Sequence, residues 1–368
     1  MNVEKIDKSG QKKNARWESF KEWVKKHILA IVLVVSAVVI AGVFIIAIHS
    51  IKYEQTASVD LKLPAKKPAP KKFYSPLTGV EIANEAAAKL PVTGVMIENS
   101  PAARPQSGLK KAGVVYEAVA EGGITRFLAL YQGEKPALIG PVRSLRLYYL
   151  SWAAPYQASI AHVGGSPNAL SQVRNGNYRD IDQFFNDGSY WRSRDRYAPH
   201  NVYTSGEKLD QLNSAKGYNN SEFTSFARAD GKPVESPNAT SVSINLSGSL
   251  YNTSYAYDKA SNSYLRSMAG APHNDREDGQ IAPNTVVAME VGVEARAQNY
   301  DGYEDVKTTE SGKAYIFQNG TVATATWSKA DINSPLKLTD ESGKDIVLNR
   351  GQTWIAAFTP GRGSVSWQ

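Results

Sequence analysis

Residues 121–167, EGGITRFLALYQGEKPALIGPVRSLRLYYLSWAAPYQASIAHVGGSP, decide how this chain folds. Gly122-Gly123 interrupts two apolar runs, Val114–Glu121 and 124–132, and two glycines between such runs signal a tight β-hairpin. A two-residue turn pairs 121 with 124, 119 with 126 and 117 with 128. Side chains alternate along a strand. Glu117, Val119 and Glu121 are therefore expected on one face with Ile124, Arg126 and Leu128, which sets Arg126 diagonal to both glutamates. Such an arginine is either half of a structural ion pair or a group held by carboxylates and aimed at a ligand.

Downstream of the hairpin, 137–140 reads as a short strand and 145–154 as a helix with Ser144 able to cap it. Arg143 and Arg146 then flank a helix start, where free N–H groups favour anions. Residues 157–163 read as a strand ending at His162. Gly164-Gly165 leads into Ser166-Pro167, a helix start with Ser at the N-cap. Upstream, 81–89 has helix-forming composition, 92–98 reads as a strand, and 99–108, with two prolines, as a loop. Residues 175–205 carry seven aromatics with Arg192, Arg194 and Arg196, and read as a long ordered loop. A short helix is expected at 207–215.

Beyond a Gly/Ser/Asn/Pro-rich boundary at 216–238, residues 239–368 alternate and turn like a small sheet or barrel. The expected fold class is α+β: a mixed α/β domain over 73–215, then a β-rich domain over 239–368.

The N-terminal region is of another kind. Residues 28–48, ILAIVLVVSAVVIAGVFIIAI, carry no charge over a length that matches the ~20 residues needed to span hydrocarbon as a helix. The run exceeds the ~7–15 residues of a signal-peptide core, and no small-x-small cleavage site follows it. Residues 1–27 form a basic tail that accounts for +4 of the net charge of +7. Five cations lie close before the span, against Lys52 and Lys62 in the fifteen residues after it. The bias predicts a cytoplasmic N-terminus and an exported body. Residues 49–72 read as a Pro/Lys linker. With the remaining charge spread thinly, nucleic acid is not an expected partner. The chain has no cysteine, which excludes disulfides, thiolate metal sites and a thiol nucleophile.

The motifs GGITRF, GPVRSLR, HVGGSP and RYAPHN, followed by SYLRSMAGAPHND and the closing GQTWIAAF, resemble the YerB-like family of bacterial lipoproteins. The likeness runs from YSPLTG at Tyr74 to near the C-terminus. It implies a two-domain extracytoplasmic protein, carries no assigned activity, and transfers no catalytic residue. This chain departs from the family's pattern in its anchor, with an apolar helix in place of a lipidated cysteine.

The candidate chemistry is concentrated in residues 98–203. His162, His200, Glu117 and Glu121 are the candidate acid–base groups. Arg104, Arg126, Arg143, Arg146, His162, Ser166, Arg196 and His200 form the candidate ligand-binding set, since arginines at helix starts suit carboxylate or phosphate. Two histidines sit in identical tetrapeptides, 198–201 and 271–274 (APHN). Their spacing matches no zinc signature, so neither a metal nor a cofactor is expected. The leading expectation is a membrane-anchored extracytoplasmic protein. It binds an anionic cell-envelope component, glycan or peptide, through an Arg/His/aromatic pocket. An envelope hydrolase and a scaffold in an envelope assembly are the alternatives. A cell-wall polymer or an envelope protein would be the partner.

Overall fold

The computed structural model describes residues 9–53, 71–295 and 304–368. Residues 1–8 of the expected tail and 54–70 of the expected linker lie outside the described residues. Helix α1 (Ser9–Tyr53) holds the uncharged run. Its stretch Arg16–Ser50 is long and apolar enough to cross a membrane and is not buried against protein.

Lys71–Gln368 forms a second compact unit. Its longer elements are β1 (Thr93–Glu98), β2 (Val114–Glu121), β3 (Ile124–Tyr131), α2 (Leu147–Ala153), β4 (Ser159–His162), α3 (Pro167–Asn175), β5 (Arg179–Asp182) and α4 (Gly206–Ala215). There follow β6 (Ser241–Asn245), β7 (Thr253–Asp258), β8 (Ser263–Met268), β9 (Ala271–Pro272), β10 (Thr285–Glu290), β11 (Ser311–Gln318), β12 (Thr321–Ser328), β13 (Lys337–Thr339), β14 (Thr353–Phe358) and β15 (Ser364–Trp367).

Ten of these strands make one sheet in the order β13-β12-β11-β10-β14-β2-β3-β1-β4-β5. The sheet is shared across the 216–238 segment: β14, from the end of the chain, pairs parallel with β2 through Thr353↔Val114 to Ala356↔Glu117. Helices α2 and α3 cover one face, where Tyr148, Tyr149 and Trp152 pack on Tyr116, Ala118 and Leu128. A five-stranded sheet, β9-β8-β7-β6-β15, covers the other. There Tyr255, Tyr264 and Met268 pack on Val115, Phe127 and Trp354. The central strands of the large sheet are thus buried on both faces, which explains the near-continuous apolar runs of β1, β10 and β14.

The hairpin forms at the expected turn. Gly122 and Gly123 have φ of 57° and 76°, the doubly positive geometry that glycine makes accessible. The register differs from the simple count. Glu121 pairs with Ile124, but Val119 pairs with Thr125 and Ala118 with Arg126. Ala120 is an extra residue, a β-bulge, and it reverses the facing of every residue after it. Glu117 therefore points to the five-stranded sheet, and Glu121 to the helical face. The expectation that both glutamates flank Arg126 is corrected on this ground. The carbonyls beside the bulge accept from α2: Tyr148 Oη donates to Val119 O at 2.6 Å and Tyr149 Oη to Ala118 O at 3.0 Å.

Three further expectations change. The 81–89 helix is a strand pair, Phe73–Tyr74 with Glu81–Ile82, followed by a single turn, Glu85–Ala88. Asn84 caps that turn, its Oδ1 accepting from Ala87 N at 3.0 Å. Helix α2 begins at Leu147 with Arg146 at its N-cap, so Ser144 does not cap it. The 175–205 loop contains β5, whose sequence RDID has one apolar residue and no strand-like alternation.

Candidate functional site

The parallel strands β1, β4 and β5 end together, which brings Glu98, His162 and Asp182 to one edge of the sheet. The loops that follow add Ser100, Arg104, Arg143 and the 190–201 segment. Carboxyl ends of parallel strands are the usual place for a site in an α/β sheet.

Most of the candidate residues there are committed to the protein itself. Arg126, 2% exposed, donates from Nη2 to Glu121 Oε1 at 2.7 Å and from Nη1 to Ser144 O at 3.0 Å. Arg146 donates to Glu121 Oε2 from Nη2 at 2.6 Å and from Nε at 3.1 Å. Burial raises the Glu121 carboxyl, but the two guanidinium charges and their hydrogen bonds outweigh it and hold the group below its ordinary value. Glu121 is thus a clamp between β3 and the start of α2, and neither arginine faces a ligand.

Arg104 donates from Nε to Asn99 Oδ1 at 3.0 Å and from Nη2 to Leu250 O at 2.8 Å. It also lies over the Tyr251 ring. Arg196 donates to the carbonyls of Ala102, Arg104 and Pro105, pinning the 101–105 loop. Ser166 is the N-cap residue of α3, its side chain making no cap bond, and it is 8% exposed.

His162 is fully buried. Its Nδ1 meets Gly164 O at 2.8 Å and its Nε2 meets Asp180 Oδ1 at 3.0 Å. Both ring nitrogens are engaged within the protein, and the contact to Asp180 ties β4 to β5. This corrects its expected roles as ligand group and acid–base group: it has neither a free nitrogen nor a path to solvent. Glu117 is likewise removed. It is fully buried between the sheets, accepting from Arg266 Nη2 at 2.6 Å, Trp354 Nε1 at 2.9 Å and Thr125 Oγ1 at 3.1 Å. Glu121 is removed as an acid–base candidate by its two arginines.

Glu98, Ser100, Arg143 and His200 remain. Glu98 is 3% exposed. Its Oε1 accepts from Ser100 Oγ at 2.9 Å and His200 Nδ1 at 2.8 Å, with Arg143 Nε at 3.7 Å. Its Oε2 is buried without a hydrogen-bond partner, as is Arg143 Nε. The His200 and Arg143 side chains are 28% and 27% exposed, so the cluster reaches the surface through them. With Nδ1 committed to Glu98, Nε2 is the His200 nitrogen left for other chemistry. Ser100 Oγ also approaches Nδ1, at 3.3 Å. A serine–histidine–carboxylate relay needs hydroxyl and carboxylate on opposite ring nitrogens. Here they share one, so Ser100 is not placed as a nucleophile.

The identical APHN segments have separate fates. His273 is buried, with Nε2 at 2.9 Å from Gln106 Oε1. Burial first, then the charges of Arg266 and Arg104, push its imidazole well below the ordinary 6.5. Among the described residues no group of three or more His, Asp or Glu is placed to hold a metal ion. Sequence reasoning passed over Glu98 as a site centre. Its signal was position, the last residue of an apolar strand directly before a proline-rich loop. Arg266 carried a signal too: in SYLRSM it shares the alternating buried face with Tyr264 and Met268.

Two family models match the chain, over residues 77–219 and 242–355. They are described as the N-terminal and C-terminal domains of DUF3048, a protein of unknown function. The Bacillus subtilis (strain 168) protein named Putative lipoprotein YerB is 35% identical over 291 residues, covering 77% of this chain and 86% of the relative. The crystal structure of YerB from Bacillus subtilis superposes with a TM-score of 0.72 at 30% identity, covering 80% of this chain and 100% of that one.

Proposed function

The chain belongs to the YerB-like, DUF3048 family, and from that premise we propose that it is a membrane-anchored extracytoplasmic protein whose body binds a cell-envelope component at Glu98, Arg143 and His200. The anchor is α1, with its N-terminus in the cytoplasm, as the flanking cations favour. One observation carries the binding: Glu98 Oε2 is buried without a partner beside a partly exposed arginine and histidine. A buried carboxylate oxygen left unpaired is costly, and a ligand N–H would satisfy it. Arg143 offers its guanidinium to an anionic group on the same ligand. A peptide bearing both a carboxylate and N–H donors meets these demands better than a purely anionic glycan, which would face Glu98 as a like charge.

The test uses the full chain in detergent micelles and soluble cell-wall fragments that carry peptide stems. Retention of the fragments is expected for the native chain and for Arg192→Ala. A loss of ten-fold or more is expected for Arg143→Ala and Glu98→Gln. Equal retention by all four proteins, or retention by none, rejects the site. The absence of cysteine allows the topology to be read separately: Val80→Cys should react with a membrane-impermeant maleimide on intact cells and Ser19→Cys should not.

A further inference from the structure

We infer a second binding site, for a linear uncharged glycan, in a groove at the opposite end of the large sheet. The groove has a volume of about 1150 Å³ and opens at the amino ends of β4 and β5. Six residues of β1 at ~3.3 Å each separate the two ends, so it lies roughly 20 Å from Glu98. At Gln172 and Ile332 it adjoins a recess of about 430 Å³.

Size, surface and charge together select the ligand. Small-molecule pockets are usually ~300–1,000 Å³ and enclosed. This groove is larger, open and extended by a neighbour, as a polymer requires. Tyr178, Tyr218 and Phe223 line it, each partly exposed. Aromatic faces carry negative quadrupole charge and accept the C–H-rich faces of sugar rings. Gln157, Gln172 and Asn177 line it as well and are exposed. Primary amides both donate and accept, which matches the hydroxyl and acetamido groups of sugars.

Charge excludes the alternatives. Of the lining residues only Arg179 and Glu222 are charged, and their signs cancel. Arg179 is also engaged: its Nη1 donates to Asn220 O at 2.7 Å, and its guanidinium lies 5.4 Å from the Tyr218 ring centre. It therefore steadies a stacking platform and does not serve as an anion receptor. A polyanion finds a single cation here, already held at Nη1 and offset by Glu222, too little to bind a polyanion or a nucleic acid backbone.

One wall is built to be rigid. Ile332, Asn333 and Pro335 form it. Lys329, 2% exposed, donates from Nζ to the carbonyls of Asp331, Ile332 (2.7 Å) and Ser334 (2.8 Å). All three ammonium protons are spent on holding this loop. The floor holds Gln157 at φ 48°, a left-handed conformation unusual outside glycine, and its Oε1 accepts from Glu222 N at 3.2 Å. Backbone held in this way is characteristic of ligand sites.

The experiment is calorimetric titration of the full chain in detergent micelles with hexa-N-acetylchitohexaose, cellohexaose and a polyanionic hexasaccharide of similar length. Saturable binding of one or both uncharged hexasaccharides, and none of the polyanion, is expected. Tyr178→Ala and Tyr218→Ala should weaken it at least ten-fold. Gln172→Ala, at an exposed position that does not bear on folding, should weaken it three- to ten-fold. Arg143→Ala should leave it unchanged, which separates this site from the one at Glu98. No binding of either uncharged sugar, preferential binding of the polyanion, or full affinity in Gln172→Ala and both tyrosine variants overturns the inference.

Discussion

Replacing Glu117 by Gln removes a charge and almost nothing else, and the structure gives the size of the effect. Glu117 Oε2 accepts from Arg266 and Trp354, at 2.6 and 2.9 Å, and Oε1 from Thr125 at 3.1 Å. A glutamine with its oxygen in the Oε2 position keeps the first two bonds. Volume and the bonds to Arg266 and Trp354 survive; the Thr125 hydroxyl, which already accepts from Asn99 Nδ2, loses its acceptor, and the main loss is the charge that compensates the guanidinium. Arg266 is fully buried, and its Nε and Nη1 have no hydrogen-bond partner. Its other neighbours are the rings of Trp354, at 4.4 Å, and of Tyr255, at 5.5 Å. Breaking such a pair costs about 3–5 kcal/mol, a large part of the ~5–15 kcal/mol that holds a typical protein together. Arg266→Met should cost a similar amount by stranding the carboxylate. The double variant should be more stable than either single one, with a coupling of at least about 2 kcal/mol. Urea unfolding of the full chain in non-ionic micelles, followed by tryptophan fluorescence, measures all three. Single costs below about 1 kcal/mol that add in the double variant would refute the reasoning, because the pair would then not be the link between the two sheets.

Three other outcomes follow from the same geometry. Glu121→Gln should destabilise by about 3 kcal/mol at neutral pH by leaving Arg126 and Arg146 without a counter-charge. Because Glu121 titrates below its ordinary 4.5 in the fold, its contribution is complete above that value and is lost as pH falls through the lower, folded value. Native chain and variant should therefore converge in acid, and a gap that stays undiminished as the pH falls in melting experiments would contradict the pairing. Burial pulls the Lys329 ammonium from 10.5 to about 8. From pH 8 to 10.5 the unfolded chain then holds a proton that the folded chain has released, so this group makes stability rise with pH across that window. Lys329→Met should abolish that rise and loosen the 331–335 wall, weakening hexasaccharide binding; identical stability–pH curves would exclude the assignment. Gly140 has φ of 148°, and a Cβ there would sit 2.9 Å from Val202 O and 2.8 Å from Tyr203 Cδ1. Gly140→Ala should cost more than about 2 kcal/mol and displace Arg143, reducing wall-fragment retention, as thermal melts and the same retention assay would reveal.

What could be read from the sequence follows the range of the physics involved. β1, the hairpin and α4 are set by local pattern and appear within a few residues of their expected positions, and the apolar run 28–48 lies inside the longer α1. Ala120 is where local reading stops. Nothing in VAEGGI announces a bulge, since Ala120 is apolar like its neighbours, yet this one residue sends Glu117 and Glu121 to opposite faces. The partners of these glutamates then lie at different distances in the chain. Arg126 is five residues from Glu121 and was found. Arg266 is 149 residues from Glu117 and was not. The same division holds at the candidate site. An arginine count over 98–203 registers cations but not where their protons go, and Arg104, Arg126, Arg146 and Arg196 prove to be fasteners for loops and strand ends. Glu98 stands out only by subtraction, once Arg104, Arg126, Arg146 and Arg196 have been assigned and a buried oxygen is left unmatched beside Arg143. The unmatched Glu98 Oε2 and the pairings of Arg104, Arg126, Arg146 and Arg196 are properties of three-dimensional neighbours, and that is why the sequence located the folded body but not which of its arginines are spent within it; Arg143, also a sequence candidate, is the one that stays beside Glu98.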